Sequence, residues 1–201
     1  LEMLPMANTN RLRPLGHDSK SVGIWCWRAR FYFRQACSFC LVISGVYATK
    51  KVMKMRGHMD RLLLAAAAAA NAGEVPVAAA IVNMDGQIIA LAENRMKRDK
   101  NALHHAEILA IQAAMAKTGQ SRLYEYDLWV TLEPCTMCAG AIAHARIKRL
   151  YFAAHDEKAG AVESGVRFFD SPSCHHSPEI YSGISASKAA AMLQEFFAAR
   201  R

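Results

Sequence analysis

Two short segments constrain this chain more than anything else in it: His105-Ala106-Glu107 and, further along, Pro134-Cys135-Thr136-Met137-Cys138. Lone Cys-x-x-Cys pairs and lone His-x-Glu triplets arise often by chance. In this order, each opening a helix-like run, they supply one imidazole, two thiolates and a carboxylate that stands apart from those donors. A His/Cys/Cys set suits a tetrahedral zinc ion, and three protein ligands leave one position open for a small molecule. The fold must therefore bring the starts of two separate helices to one place.

At 201 residues the chain has room for one cored domain and a remainder. The charge distribution separates the two. The net charge of +8 suggests a nucleic-acid binder, but residues 1–58 hold ten Lys and Arg against Glu2 and Asp18, which accounts for all of it. From Met59 onward fifteen basic residues balance fifteen acidic ones, so bulk charge says nothing about what the second part binds. Residues 1–58 are read as a basic N-terminal extension that is disordered, dispensable or not native. Upstream sequence not normally translated, a cleaved targeting segment and an RNA-gathering tail all fit it. The chain opens on Leu1, and Met53, Met55 or Met59 would each start the second part cleanly. Cys37 and Cys40 have no partner ligands nearby and are read as incidental.

The six cysteines form no evenly spaced pairs, so a disulfide scaffold is not expected. A reducing, cytoplasmic setting would keep the metal-binding thiols free. The longest apolar stretch outside the alanine tract, 36–49, is broken by serines and Gly45. It falls short of the ~20 residues of a membrane span, so no membrane association is expected.

From Met59 the text becomes regular. Met59 to Ala72 is rich in Leu and Ala and predicts a helix stopped by Gly73. The runs 75–83 and 87–92 flank Asp85-Gly86 and predict a hairpin. A helix is predicted over 104–117, with Ile108, Ile111 and Met115 as its apolar residues and Gly119 as its stop. A strand over 127–132 runs into Glu133-Pro134, and a helix over 135–145 leads to a strand over 147–154. After a Gly/Ser/Pro-rich connection, 187–200 makes a last helix capped by Ser185 or Ser187. The order α-β-β-α-β-α-β-α, with crossovers of this length, predicts an α/β fold: a three-layer α/β/α sandwich around a central mixed sheet.

Placed at i and i+3, Cys135 and Cys138 would share one helical turn, with Pro134 in its first turn. The positive helix end favours thiolate over thiol. Glu107, two residues from His105, can reach a molecule held at the metal's open position without binding the metal. It is read as the general acid/base. A closed structural site would need a fourth ligand, for which Cys174, His175 and His176 are candidates, but such a site gives Glu107 no role. His104 is an alternative ligand, disfavoured by its register to Glu107. The Cys174-His175-His176 run is read as packing or capping a loop.

The spacing matches the signature of the zinc nucleobase deaminases. More broadly, the chain from about Met59 resembles the bacterial tRNA-specific adenosine deaminases of the zinc-dependent cytidine/deoxycytidylate deaminase superfamily. The likeness runs through Glu74-Val-Pro-Val77, Glu93-Asn-Arg95, His105-Ala-Glu-Ile108 and Val130-Thr-Leu-Glu-Pro-Cys-Thr-Met-Cys-Ala-Gly-Ala141. It continues in His144-Ala-Arg-Ile147, Asp156-Glu-Lys158, Gly160-Ala161 and the terminal Glu195-Phe-Phe-Ala-Ala-Arg-Arg201. The resemblance implies a deaminase domain over 59–201 with a cytidine-deaminase-like fold. It implies hydrolytic deamination of adenosine to inosine at the wobble position of a tRNA anticodon. It also implies a homodimer with one zinc per subunit on His105, Cys135 and Cys138, and Glu107 as catalyst. Asn94 matches a substrate-contacting asparagine, and Asp156, Lys158 and Phe197 match segments that flank the RNA. The basic clusters Arg95–Lys100, Arg146–Arg149 and Arg200-Arg201 are either RNA contacts or solvated surface. Leu103-His104 departs from the smaller residues usual before the zinc histidine. The rival reading is a zinc deaminase of free guanine, cytosine or cytidine. A rival of another class is an inactive RNA-binding subunit, which the intact Glu107 disfavours.

Overall fold

Alternate residues of the central strands point to opposite faces of one sheet, and both faces are buried. This is seen in a computed structural model that describes residues 57–200; the expectations for the leader, and for Arg201, lie outside the described residues. Helix α1 (57–71) leads into β1 (Ala78–Val82) and β2 (Ile88–Glu93). Then follow α2 (Ala106–Thr118), β3 (Asp127–Leu132), α3 (Thr136–Ala145) and β4 (Arg149–Ala154). A 3-10 turn (Phe168–Asp170), β5 (Glu179–Tyr181) and α4 (Ala186–Ala198) close the chain.

The five strands lie in the order β2-β1-β3-β4-β5. β1 runs antiparallel to β2 and β3, while β3, β4 and β5 are parallel, so the sheet is mixed. Ala79 and Ile81 of β1, Leu128 and Val130 of β3, and Leu150 and Phe152 of β4 pack with α2 and α3. Their neighbours Ala78, Ala80, Val82, Trp129, Tyr151 and Ala153 pack with Met59, Leu62, Leu63 and Ala66 of α1 and Ala189 of α4. The three-layer α/β/α sandwich is therefore as the sequence predicts. Period-two alternation with both faces apolar is what a covered sheet requires. Each fully buried large side chain, such as Trp129, Phe152 or Leu62, contributes about 1.5–3 kcal/mol.

Several local expectations are refined. The β1–β2 turn is Asn83–Gly86: Gly86 N–H donates to Asn83 O at 2.9 Å, and Gly86 has φ +71°, open to a residue without Cβ. Asp85-Gly86 is its second half. α2 begins at Ala106, and its buried stripe is Ala106, Ala110, Ile111 and Ala114. The larger Ile108 and Met115 are only partly buried, because small residues let α2 lie close to the sheet. Ser185 is the residue before α4, but at φ 60° its side chain makes no capping bond. The strand β5 is unanticipated. Three residues, two of them exposed, carry no legible period, and β5 exists because it pairs with β4. α1 is already helical at Gly57, and His58 meets the Trp129 ring edge-on at 5.4 Å.

Candidate metal centre and active site

Both halves of the opening sequence signal fall at helix starts. His105 is the N-cap of α2 and Cys135 the N-cap of α3, and neither side chain caps its own helix. Pro134 thus stands one residue ahead of the N-cap rather than in the first turn. Cys138 lies within the first turn of α3, fully buried. The side chains are consequently free to face each other. His105 Nδ1 is 3.7 Å from Cys135 Sγ and 3.5 Å from Cys138 Sγ. Among the described residues these three form the one group whose donor atoms, all within 4.8 Å of one another, could hold a metal. Tetrahedral zinc, with N and S bonds near 2.05 and 2.3 Å, separates such donors by about 3.6 Å. The donor set fits the ion in both chemistry and spacing.

The electrostatics agree. The Cys135 thiol is pushed down to about 4, chiefly by a hydrogen bond from Cys138 and also by His105. Cys138 moves up, because it holds the proton of the pair and is buried. His105 is raised by its hydrogen bond to Cys135. Glu107, the second residue of α2, is 4% exposed, and burial pushes its carboxyl upward against the opposing effects of His105 and Cys138. It sits beside the donors without belonging to their cluster.

Asn94 is buried and enters this neighbourhood through the backbone: Arg95 N–H donates to His104 O at 3.0 Å, next to His105. Its side-chain amide donates to Glu74 Oε2 at 3.3 Å. Glu74, itself fully buried, also accepts Arg98 N–H at 2.7 Å. Because a carboxylate only accepts, Glu74 fixes the NH2 end of Asn94 toward itself. Asp156 is partly buried; its Oδ1 accepts the N–H of Lys158 at 3.0 Å and of Ala159 at 3.1 Å, forming a turn that leaves Lys158 exposed. Phe197 is 48% exposed near the end of α4, on the helix layer away from α2 and α3, and touches Phe196 edge-on.

Two residues that carry the site were missed from sequence: Glu74, which orients Asn94, and Glu133, which is buried directly before Pro134. The available signal for Glu133 was a charge closing the apolar run Leu128–Leu132. Its carboxylate is held down to about 2 by hydrogen bonds from Ser164, Asp156 and Glu163 that outweigh the cost of burial.

The basic clusters are largely spent internally. Arg95 pairs with Asp99, Arg98 with Glu93, Lys148 with Glu125, and Arg149 with Asp127 and Glu179. His104 Nδ1 lies 2.8 Å from Asp99, and Leu103 is 58% exposed. The Cys174–His176 run indeed pins a loop: His176 Nε2 lies 2.6 Å from Ile147 O and Arg146 donates to His175 O.

This fold and this donor set define a nucleobase-deaminase type of protein, and residues 53–201 match the family described as MafB19-like deaminase. A tRNA-specific adenosine deaminase from Agrobacterium fabrum is 50% identical over 150 residues, covering 74% of this chain and 98% of that protein. A solved structure from work on A-to-I editing by tRNA:A34 deaminases at the wobble position shares 51% identity and a TM-score of 0.66. It covers 67% of this chain and 97% of that one. A guanine deaminase from Nitrosomonas europaea matches at 25% identity and a TM-score of 0.63, over 71% of this chain and 84% of that one. The chain belongs to the tRNA-specific adenosine deaminases within this deaminase family.

Proposed function

We propose that this chain hydrolyses adenosine to inosine, with release of ammonia, at the wobble position of a tRNA anticodon. The observation that carries the reaction is Glu107, buried yet outside the donor cluster and beside two of its members. The 50% identity to a tRNA-specific adenosine deaminase over nearly that protein's whole length supports the substrate.

His105, Cys135 and Cys138 would hold one zinc ion per subunit. A zinc ion held there supplies the Lewis acidity that makes water nucleophilic near neutral pH. Glu107 takes a proton from the attacking water and passes it to a ring nitrogen of the base, then helps protonate the departing amine. Its raised proton affinity suits a group that must hold that proton between the two steps. Asn94 orients the purine through its amide, which Glu74 holds. The anticodon loop suits such a pocket, because its unpaired bases can be splayed out. Asp156, Lys158 and Phe197 would flank the RNA. A homodimer working in the cytoplasm follows the family resemblance. Of the basic extension 1–58, residues 1–52 would be dispensable, so that a chain beginning at Met53 keeps zinc and turnover. The helix already formed at Gly57 favours that start over one at Met59.

Ammonia release tests the assignment. A tRNA stem-loop with adenosine at the wobble position should turn over, while free guanine and cytidine should not. Turnover of a free base with the stem-loop untouched would move the assignment to the rival reading.

A further inference from the structure

Three carboxylates are buried among the described residues: Glu107 serves the proposed chemistry, Glu74 holds Asn94, and Glu133 remains. The Glu133 side chain is fully buried, and one loop fills its acceptor positions. Its Oε1 accepts three consecutive N–H groups, from Val162 at 3.0 Å, Glu163 at 2.9 Å and Ser164 at 2.7 Å. Its Oε2 accepts the Asp156 N–H at 3.1 Å and the Ser164 hydroxyl at 2.7 Å. Successive amides converging on one oxygen form a nest for an anion. Here the anion is the protein's own.

The same loop is joined to the strand end that carries Cys135. Ala161 N–H donates to Pro134 O at 2.9 Å, and Cys135 pairs with Gly160 as an isolated antiparallel bridge. Gly160 lies so close to the carboxyl group that a Cβ there would stand 2.6 Å from Glu133 Cδ. The loop therefore wraps around the carboxylate and rests against the Pro134–Cys135 backbone.

We propose that Glu133 is a positioning residue. Its carboxylate folds the 156–164 loop onto the Pro134–Cys135 segment, fixing at once the Cys135 thiolate and the Asp156-Lys158 turn at the rim of the site. This inference rests on the metal and RNA roles proposed above. It adds a physical coupling between them: the hold on zinc and the order of the RNA-facing loop rise and fall together. An uncharged residue cannot replace it. With one oxygen facing three amides, a glutamine must turn its NH2 toward the Asp156 N–H, donor against donor.

The test compares the full zinc-loaded chain with its Glu133→Gln variant by amide hydrogen exchange, competition for zinc with a chelator, and steady-state kinetics on an anticodon stem-loop. Exchange at residues 156 and 162–164 should quicken while the β1 and β3 amides keep their protection. Zinc should be held about 10–100-fold less tightly, the usual effect of losing support behind a metal ligand. KM for the stem-loop should rise more than kcat falls. Loop protection and zinc affinity equal to the parent's would overturn the proposal. A lower melting temperature with both unchanged would also overturn it, because that is all a stabilising role produces. Ser164→Ala removes one donor and leaves the carboxylate in place, so it keeps the test open if the glutamine variant does not fold. It should move both readouts the same way by a smaller factor, and no movement in either would count against the proposal. A parent chain that takes up no zinc would defeat the metal reading, whereas loop exchange in Glu133→Gln would still test the hold on the loop.

Discussion

His105 Nδ1 lies 3.5 Å from Cys138 Sγ, although 33 residues separate them in the chain. The contact exists because the N-termini of α2 and α3 converge on one face of the sheet, and it is the spacing a shared tetrahedral metal needs. Cys138→Ala should therefore lose zinc outright and abolish deamination. Stripping zinc from the parent should lower its melting temperature. Metal at 100 times its Kd stabilises by about 2.7 kcal/mol, which corresponds to about 5–10 °C for a domain of this size. Metal content by mass and a thermal melt with and without chelator check both statements. An unchanged melt on loss of the metal would count against a zinc-bound native state.

Glu107 separates metal binding from turnover. Glu107→Gln preserves the shape of a buried side chain while removing its capacity to move a proton. Zinc content should stay at the parent level while kcat falls by about 10²–10⁴-fold, the range of general acid/base catalysis. Activity near the parent's in a zinc-replete variant would remove Glu107 from the mechanism.

Glu133 gives the fold an acid sensitivity of known sign. An ordinary glutamate titrates near 4.5, whereas Glu133 in the folded chain titrates near 2. The depressed value means that its contribution to stability is fully present above about 4.5 and is lost as pH falls from 4.5 to 2. Cys135, pushed down to about 4, titrates in the same window, so both proteins are compared free of metal, where its contribution is common to the two. Chemical denaturation of the parent across these pH values should show stability falling more steeply than in Glu133→Gln. Parallel curves would mean that Glu133 is not ionised in its nest.

The architecture and the metal donors were legible because they rest on local signals of fixed spacing. Short apolar runs next to turn signals or following a helix marked β1, β3 and β4, and His-x-Glu with Pro-Cys-x-x-Cys marked the centre. What supports the centre was not legible, because its partners are distant in the chain. Glu74 meets Asn94 twenty residues on, and Glu133 meets Val162–Ser164 about thirty residues on. Neither pair has a sequence period, and a buried carboxylate looks like a surface one until its donors are seen. β5 escaped for a related reason, since among the described residues the strand it pairs with is β4, about thirty residues back in the chain. The basic clusters could be read either as RNA contacts or as solvated surface, and spacing along the chain could not show that Arg95, Arg98, Lys148 and Arg149 pair with nearby acids.

The Glu74–Asn94 contact predicts a split between folding and substrate binding. Glu74→Ala leaves the buried Asn94 amide without its acceptor, a loss of about 1–3 kcal/mol, and the part-buried Arg98 N–H without its carboxylate. Glu74→Gln can still accept the Arg98 N–H, but it presents an NH2 to Asn94 and forces that amide to turn over. Stability should then change little, while KM for the stem-loop rises by about 2–10-fold, the equivalent of one hydrogen bond. Thermal melts and KM measured on the same preparations distinguish the two variants. Equal KM values for the parent and Glu74→Gln would show that the direction of the Asn94 amide does not matter to the substrate.

Gly160 tests the same loop from its other side. Its missing side chain is a requirement of close approach, since a Cβ would stand 2.5 Å from Asp156 O and 2.6 Å from both Cδ and Oε2 of Glu133. Two of these neighbours are fixed by several hydrogen bonds and the third is backbone, so none can give way cheaply. Gly160→Ala should cost about 1–3 kcal/mol by overpacking. The loop is the easiest part to displace, so it should lift from Glu133 and take the Cys135–Gly160 bridge with it. Weaker zinc retention should therefore accompany the lower melting temperature. Gly183→Ala provides the contrast: no atom lies within 4 Å of a Cβ there, and its φ of +85° strains any L residue. It should lower the melting temperature through backbone strain alone and leave zinc retention at the parent level. Loss of zinc in both variants would mean that the metal centre responds to general destabilisation rather than to this loop.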